Sequence, residues 1–315
     1  MFLDDAHAKE QNVVLDYVAN HVHKLHPVYQ KHPNWATNKY TTDGRINTQL
    51  WDEERLTTWF DTFMPTLELR NDTVAELMSD SALVWITKYN FDGFRHDATK
   101  HIPMNFTRLL TEKIRAASDD HVYQIGETYG SDELIASYVG SGKVDAQLNF
   151  NLYDAAFEAF TQEGATFDRL RKALESSLTY YGHHHLMGNI SGNQDKPRFS
   201  SMASGHLSMS EDSKLAGWTR EIPKPNERGY RKIAAMHAFN IAIPGIPILY
   251  YGDEIALHGG NYPDNRKMML FNYSPRQQQL FDHIARLNQN KSRLMALNYG
   301  STTVYQPEPY LLIII

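Results

Sequence analysis

Short apolar runs alternate along most of the chain with longer stretches in which apolar residues recur every three or four positions. The short runs predict strands, and the periodic stretches predict helices. Strands are predicted at 12–18, in a run ending near 94, and at 122–125, 146–150, 186–190 and 245–251. Helices are predicted at 2–9, 71–89, 104–117, 132–139, 167–181, 230–243 and 275–290. This repeated alternation of strand and helix favours a parallel sheet with helices outside it.

Two long segments interrupt the alternation. From 23 to 70 the sequence is punctuated by Pro and Gly and carries scattered aromatic residues, which is typical of a functional excursion or a small subdomain. Residues 199–227 form a polar stretch containing Ser and Lys, which predicts a mobile loop. Near the end, apolar runs at 302–305 and 310–315 predict strands of a further β unit.

Polar residues cluster after the ends of several predicted strands. This is the layout of a (β/α)8 TIM barrel, in which the site lies at the carboxyl ends of the strands. A doubly wound sheet would instead concentrate its site at one switch point. About six of the eight β/α units of a barrel are visible, and residues 2–9 read as the end of a helix. We therefore expect an incomplete α/β barrel whose first two units are missing.

Three acidic residues each follow a different predicted strand: Asp97, Glu127 and Asp195. Because side chains alternate between the two faces of a strand, Arg95 and Asp97 point to the same face. An adjacent arginine favours the ionised form of a carboxyl group. A structural ion pair and solvated loop carboxylates are the alternative interpretation, but three acids in equivalent positions favour a site.

Glycoside hydrolysis with retention needs an ionised nucleophile and a protonated acid about 5–5.5 Å apart. Asp97, beside Arg95, suits the nucleophile. Glu127 follows an apolar strand and suits the acid of raised pKa. Asp195 adds a third carboxylate that can bind sugar hydroxyls and favour a distorted ring.

Composition narrows the partners and the chemistry. A net charge near −6 gives no indication of a nucleic-acid partner. The absence of cysteine excludes disulfides and thiol catalysis. The longest apolar segment, about 241–251, is too short to span a bilayer and contains two prolines, so no transmembrane segment is predicted.

Five stretches, in the right order, resemble motifs of the α-amylase family of retaining glycoside hydrolases. They are 16–21, 93–101, the segment around Glu127, 193–195 and 245–254. The resemblance implies cleavage of α-1,4-glucosidic bonds in starch, maltodextrin or related α-glucans through a covalent glycosyl-enzyme intermediate. It also implies the following domains: the family's third barrel strand in 1–22, a domain inserted after it in 23–70, the rest of the catalytic barrel in 71–295, and the start of a C-terminal β domain in 296–315.

By this resemblance Asp97 is the nucleophile, Glu127 the acid/base and Asp195 the stabiliser of the transition state. The resemblance also implies that several residues bind substrate: His21, Arg95, Lys100, His101, Tyr129, Asn193 and Gln194. Arg95 would orient Asp97, and His21 would touch the sugar at the cleaved bond. Lys100 and His101 would line the next subsites or brace the loop.

Calcium is a further implication of the resemblance, since members of the family often bind it. Asn20 and the main chain of His101 would be ligands. A third ligand usually comes from a Leu-Pro-Asp-Leu stretch, which here reads Met-Pro-Thr-Leu at 64–67, so Thr66 replaces a carboxylate that a hard cation prefers. We expect no required cofactor and leave calcium open. The family's polysaccharide substrates suggest a secreted, periplasmic or cell-surface location.

Other functions stay open at this point. A transglycosylase or isomerase of the same family would share the chemistry and differ in how well it excludes water. A carbohydrate-binding pseudoenzyme is disfavoured because all three acids are present. A metal hydrolase would use His183, His184 and His185, but consecutive histidines do not easily face one ion. We also expect an incomplete barrel with two unpaired strand edges to be weakly active or inactive alone.

Gln194 stands where the α-amylase family usually has histidine, which gives a first prediction. Glutamine donates a neutral hydrogen bond, whereas a protonated histidine donates a charged one, worth roughly 1.5–3 kcal/mol. We expect activity with Gln194 and an increase of up to about tenfold in Gln194→His, measured as kcat/KM on maltooligosaccharides. Lower activity in this variant would contradict the view that histidine is the stronger choice.

Overall fold

The computed structural model describes residues 2–315, and their contacts divide the chain after Leu148 into two compact units. The first unit contains one parallel sheet with its strands in sequence order: β1 (Val14–Tyr17), β2 (Gly93–His96), β3 (Tyr123–Gly126) and β4 (Ala146–Gln147). In the second unit, two strands pair in parallel, β5 (Gly188–Ile190) and β6 (Ile246–Ile248). An antiparallel hairpin follows, formed by β7 (Val304–Glu308) and β8 (Leu311–Ile314). The predicted strands are therefore confirmed, with shifted or shorter boundaries.

One or more helices separate successive parallel strands, and the predicted helices are present, most of them with shifted bounds. In the first unit they are α1 (Phe2–His7), α2 (Pro27–Lys31), α3 (Asp72–Thr87), α4 (Met104–Ala117) and α5 (Asp132–Ser137). In the second unit they are α6 (Phe150–Thr161), α7 (Asp168–Tyr181), α8 (Phe199–Ala203), α9 (Ser213–Thr219), α10 (Glu227–Ala242), α11 (Pro275–Arg293) and α12 (Met295–Tyr299). None of the helices within 2–315 has both the length and the apolar content needed to cross a bilayer.

Helix α3 illustrates how local sequence sets an element of the first unit. Its N-cap is Asn71, whose side chain accepts hydrogen bonds from the backbone N–H groups of Thr73 and Val74. The apolar stripe of the helix then packs with Phe94 of β2 in the core of this unit, and Phe94 is completely buried. The strand that precedes the candidate nucleophile is thus fixed by its own core residue.

Helix α6 is a correction to the sequence analysis, which predicted a strand at 146–150 and no helix between this strand and residue 167. Strand β4 ends at Gln147 because Asn149 caps a helix: its side chain accepts the N–H of Leu152 at 3.4 Å and donates to Ser177 at 2.9 Å. Of the run at 146–150 that suggested a longer strand, Phe150 is the first residue of α6 and is completely buried.

Helix α8 is a second correction, because it begins the segment 199–227 that was predicted to be a mobile loop. All its residues are buried, and its serines are satisfied there by the main chain. Ser200 donates to the carbonyl of Leu257 at 2.8 Å, and Ser201 accepts the N–H of Gly259 at 2.9 Å. The polarity of these serines indicated a surface loop, but their hydroxyl groups form buried hydrogen bonds.

The segment 23–70 consists of α2, turns and isolated bridges rather than regular sheet. Trp59 is 5% exposed, and its indole N–H donates to Thr37, so this segment has a small aromatic core of its own. An exposed turn lies at its far end, where the N–H of Thr41 donates to the carbonyl of Arg45 at 2.9 Å and Gly44 has a φ of +86°. The domain boundaries predicted at 22/23 and 70/71 stay predictions.

A buried histidine links the sheet to helix α4. Nε2 of His96 lies 3.0 Å from Oε1 of Gln124, an acceptor, so Nε2 carries the hydrogen. Gln124 in turn donates to the hydroxyl of Thr111 at 3.1 Å. Burial lowers the pKa of His96 to about 4, although its bond to Gln124 opposes the shift. The imidazole is therefore neutral in the folded protein at neutral pH.

This histidine predicts loss of stability in mild acid. Between pH 6.5 and about 4 the unfolded chain binds a proton at His96 that the folded chain does not, so the free energy of unfolding falls as pH falls through this range. The contribution of His96 is about 3 kcal/mol. We expect His96→Gln, measured by urea unfolding at several pH values, to show a shallower loss between pH 6.5 and 4. Equal slopes in the two proteins would contradict this assignment.

Candidate active site

The parallel register of the first sheet brings the ends of three strands together. Asp16 of β1 is paired in register with Arg95 of β2. Just beyond the strands, the N–H of Asp97 donates to the carbonyl of Tyr17 at 3.1 Å, and the N–H of Glu127 donates to that of His96 at 3.0 Å. The sheet therefore delivers these side chains to one edge, at the carboxyl ends of its strands.

One guanidinium, that of Arg95, contacts three carboxylates at this edge. Its Nη1 lies 2.7 Å from an oxygen of Asp16 and 2.7 Å from an oxygen of Asp97. Its Nη2 lies 2.7 Å from Oε2 of Glu127. Burial lowers the pKa of Arg95, but the three carboxylates together raise it by more, so the net shift is upward and the group stays charged. The predicted pair of Arg95 and Asp97 exists, and it is part of a larger cluster.

The backbone around Glu127 explains the glycine that precedes it. A Cβ on Gly126 would lie 2.6 Å from Oε1 of Gln147 and 2.7 Å from Oγ1 of Thr99, closer than side-chain carbons approach. The same Thr99 hydroxyl accepts the N–H of Glu127 at 3.0 Å. Glycine at 126 thus lets Thr99 and Gln147 close in on the main chain and fix where the Glu127 side chain begins.

His21 lies beside this cluster. Its ring stacks on Phe60, with ring centroids 4.1 Å apart and planes 22° from parallel. Burial lowers the pKa of His21, and the charge of Asp97 opposes this shift. The imidazole is thus held by an aromatic neighbour within electrostatic reach of the candidate nucleophile.

Lys100 and His101 are buried and fastened to the segment 51–55. Nζ of Lys100 donates to Asp52, and Nδ1 of His101 lies 2.7 Å from the carbonyl oxygen of Arg55, which can only accept. The guanidinium of Arg55 donates to the carbonyl of Lys100 and lies 2.7 Å from the hydroxyl of Tyr138. We call this set the 51–55 clasp. Its contacts favour bracing of the loop, one of the two roles that the sequence left open.

Tyr129 lies two residues after Glu127 and is 40% exposed, so it is accessible to a ligand.

At the calcium site that the resemblance implies, the side-chain oxygens of Asn20 and Thr66 are both uncharged. Oδ1 of Asn20 is buried and has no hydrogen-bond partner, while Thr66 donates its hydroxyl to the carbonyl of Thr58 at 2.6 Å. The described residues 2–315 contain no group of three His, Cys, Asp or Glu side chains that could hold a metal ion.

The histidines at 183–185 do not converge. Nδ1 of His183 accepts the N–H of Thr302, and Nδ1 of His185 accepts that of Met187. His184 is exposed. The geometry therefore gives no support to the metal hydrolase that the sequence left open.

In the second unit, the loop after β5 carries Asn193, Gln194 and Asp195. The side chain of Asn193 accepts the N–H of Asp195 at 3.0 Å, and the amide of Gln194 donates to Oδ2 of Asp195 at 3.1 Å. A guanidinium nitrogen of Arg266 lies 3.1 Å from Oδ1 of the same carboxylate. Asp195 nevertheless remains 59% exposed and is accessible to a ligand.

A buried ion pair holds the chain that follows this loop. Arg198 and Asp253 are each about 1% exposed, and their nearest atoms are 3.1 Å apart. Burial raises the pKa of Asp253 to about 6, while Arg198 and a hydrogen bond from Ser191 lower it. Arg198 also lies against the ring of Tyr250, with its guanidinium carbon 4.1 Å from the ring centroid. The pair fixes the chain immediately after Asp195.

Several of these residues were not identified from the sequence. Asp16 could have been, because it lies at the carboxyl end of a predicted strand beside the strand of Arg95. Arg266 could not, because it lies in a non-periodic segment far along the chain from Asp195. The same is true of Arg55, whose neighbours gave no indication of a contact with 100–101.

The chain is similar to known proteins over most of its length. A family model described as the catalytic domain of alpha amylase matches residues 1–294. A cyclomaltodextrinase of Geobacillus thermopakistaniensis is 27% identical over 303 residues, which are 93% of this chain and 47% of that protein. An intracellular maltogenic amylase of Bacillus subtilis is 24% identical over 283 residues, which are 89% of this chain and 44% of that protein.

Among solved structures, the chain resembles an α-amylase from Geobacillus thermoleovorans that was crystallised with acarbose. The TM-score is 0.82 at 26% identity, and the match covers 99% of this chain and 64% of that one. The chain spans about half the length of the curated relatives it matches.

Proposed function

The chain belongs to the α-amylase family, whose catalytic domain is a (β/α)8 barrel, and we propose that it acts as a retaining glycoside hydrolase on α-1,4-glucans. The observation that carries the proposal is the cluster in which Arg95 contacts both Asp97 and Glu127. Two carboxyl groups bound to neighbouring nitrogens of one guanidinium are close enough to act on one glycosidic bond. Starch, maltodextrin and related oligosaccharides are the proposed substrates.

The proposed reaction has two steps. In the first, a carboxylate oxygen of Asp97 attacks the anomeric carbon, while Glu127 gives its proton to the departing glycosidic oxygen; one C–O bond forms as the other breaks. In the second, Glu127 takes a proton from water, whose oxygen displaces Asp97 from the anomeric carbon. Each step exchanges one bond at the anomeric carbon, and the proton of Glu127 is restored.

The charges of the cluster suit this chemistry. Three carboxylates surround one guanidinium, so negative charge is in excess where the sugar ring becomes positively charged in the transition state. The first step needs the protonated form of Glu127, so we infer that the entering sugar displaces Oε2 of Glu127 from its contact with Arg95.

The calcium site implied by family resemblance does not fit the donors present. A calcium ion takes six to eight oxygen ligands, with carboxylates among them. The residues at the implied positions offer an amide oxygen of Asn20, a hydroxyl at Thr66 and a carbonyl at His101. The adjacent carbonyl of Lys100 accepts a hydrogen bond from the cation of Arg55 instead. We propose that the 51–55 clasp holds this region without calcium.

The finer domain assignments stay proposals as well. The aromatic core around Trp59 supports a separate subdomain in 23–70. The hairpin of β7 and β8 supports the start of a C-terminal β domain in 296–315.

Replacement of Asp97 tests the proposed function. We expect Asp97→Asn to lower kcat/KM on maltooligosaccharides by at least about three orders of magnitude, because the nucleophile is lost. The control is Asp80→Asn, a surface aspartate paired with Lys113, which should leave turnover unchanged. Assays in ¹⁸O-labelled water distinguish hydrolysis from the alternative transglycosylation or isomerisation, since hydrolysis puts one labelled oxygen on the anomeric carbon of the new reducing end for each bond that is cleaved.

Two results would overturn this proposal. Unchanged turnover in Asp97→Asn would show that Asp97 is not the nucleophile. Sugar binding without turnover in either protein would favour the alternative carbohydrate-binding pseudoenzyme.

A chelator tests the calcium proposal. We expect EDTA, followed by excess calcium, to shift the melting temperature by less than about 1 °C. An ion that bound only the folded state would instead raise the melting temperature when it was added. A melting temperature that falls with EDTA and recovers with calcium would show that a site exists despite the missing carboxylate.

A further inference from the structure

A turn at 264–266 in the second unit is built against the loop that carries Asp195. Asn265 is completely buried, and its amide nitrogen donates to the carbonyls of Gln194 and Lys196, each at 2.8 Å. These two carbonyls flank Asp195 on the chain. Since this buried amide could leave its position only by losing both hydrogen bonds, the backbone on both sides of Asp195 is fixed.

Arg266, the next residue, contacts the carboxylate itself. One guanidinium nitrogen, Nη2, lies 3.1 Å from Oδ1 of Asp195, and Nε donates to the carbonyl of Gln194 at 3.1 Å. The guanidinium carbon lies 4.3 Å from the centroid of the Tyr262 ring, which limits its orientation. Arg266 thus holds the side chain of Asp195 and the preceding main chain with one rigid group.

The other side-chain donor to this carboxylate, Gln194, is uncharged at every pH at which a protein folds. Among residues 2–315, the recorded ion pair of Asp195 is the one with Arg266. The positive charge beside Asp195 therefore comes from a turn about 70 positions away in the chain, and not from its sequence neighbour.

This turn is itself held by a buried ion pair. Its carbonyl at Asn265 accepts the Nε–H of Arg198 at 2.8 Å, and Arg198 forms the buried ion pair with Asp253. The path from the core to the carboxylate thus consists of hydrogen bonds between buried or half-buried groups. Such a path restricts a side chain more than an isolated surface pair does.

We propose that the turn of Asn265 and Arg266 positions Asp195 for transition-state stabilisation, with Arg266 as a positioning residue. The inference rests on the proposed function. A cation beside Asp195 also partly offsets the charge that stabilises the transition state. For a half-exposed pair this loss amounts to roughly fivefold at most. A displaced catalytic group costs up to about a hundredfold, so positioning is the larger effect.

Replacement of Arg266 tests this role. We expect Arg266→Met to lower kcat and kcat/KM together by about tenfold while KM changes less than about twofold, because only the transition state uses the orientation. Arg266→Lys keeps the charge without the planar fork and should recover part of the loss. The matched control is Arg220→Met: Arg220 is also 41% exposed and pairs with Glu211, and its loss should leave both constants unchanged.

A second variant gives a readout that a purely structural role would not move. Adding Gln194→His to Arg266→Met places a titratable cation next to Asp195. Because histidine is protonated below about pH 6.5, the double variant should regain activity over Arg266→Met at pH 5.5 and not at pH 8. The assays use the full chain, with folding checked by circular dichroism.

The outcomes separate the two proposals. A KM that rises with kcat unchanged would make Arg266 a substrate contact and overturn the positioning role. Arg266→Met indistinguishable from Arg220→Met would overturn it too, while leaving the proposed function intact. Rescue that is equal at both pH values would assign the effect to packing and also overturn it. Absence of turnover in the wild-type protein would overturn both.

Discussion

The ion cluster around Arg95 is the constraint on which the first half of the structure depends. Its guanidinium is mostly buried, so the loss of hydration has to be compensated by partners at hydrogen-bonding distance. Carboxylates from three neighbouring strand ends provide that compensation. They can do so because parallel strands in register end at the same edge of the sheet. The sheet determines where the charges lie, and the charges determine how the loops leave it.

Loops, rather than regular elements, carry the remaining candidate side chains, and buried donors hold them. The carbonyls around Asp195 accept from Asn265, and the carbonyl of Lys100 accepts from Arg55. In both places a side chain from a distant segment takes the hydrogen-bonding role that a neighbouring strand has in a sheet. Such bonds keep a non-repetitive backbone in one conformation, which a catalytic group requires.

The fold could be predicted from the sequence wherever the signal was local and periodic. Neighbouring residues alone reveal the apolar stripe of α3, its Asn71 cap and the alternation at Arg95 and Asp97. Helix α6 was missed because its first residues continue an apolar run, and Asn149, its cap, also suits a turn. Helix α8 was missed because buried serines look like surface residues when their partners are unknown.

The positions of the candidate acids at strand ends could be predicted from the sequence, and the contacts that support them could not. Asp97, Glu127 and Asp195 each follow a strand, and strand ends are visible in the sequence. The supporting contacts join residues tens of positions apart, as between Arg55 and Lys100 or Arg266 and Asp195. A single sequence has no local pattern that marks such a pair, so only the folded chain reveals it.

The 51–55 clasp has a consequence for how the segment 23–70 can change over evolution. His101 depends on a carbonyl of Arg55, and Lys100 on the carboxylate of Asp52, so an insertion or deletion next to the clasp would shift the strand end that bears Asp97. The exposed turn around Gly44 is joined to this segment by a half-exposed surface pair of Arg45 and Glu53, which contributes little, and a Cβ on Gly44 would meet no atom within 4 Å. Relatives should therefore differ in length at 41–45 while the spacing from the clasp to the chain that follows stays fixed.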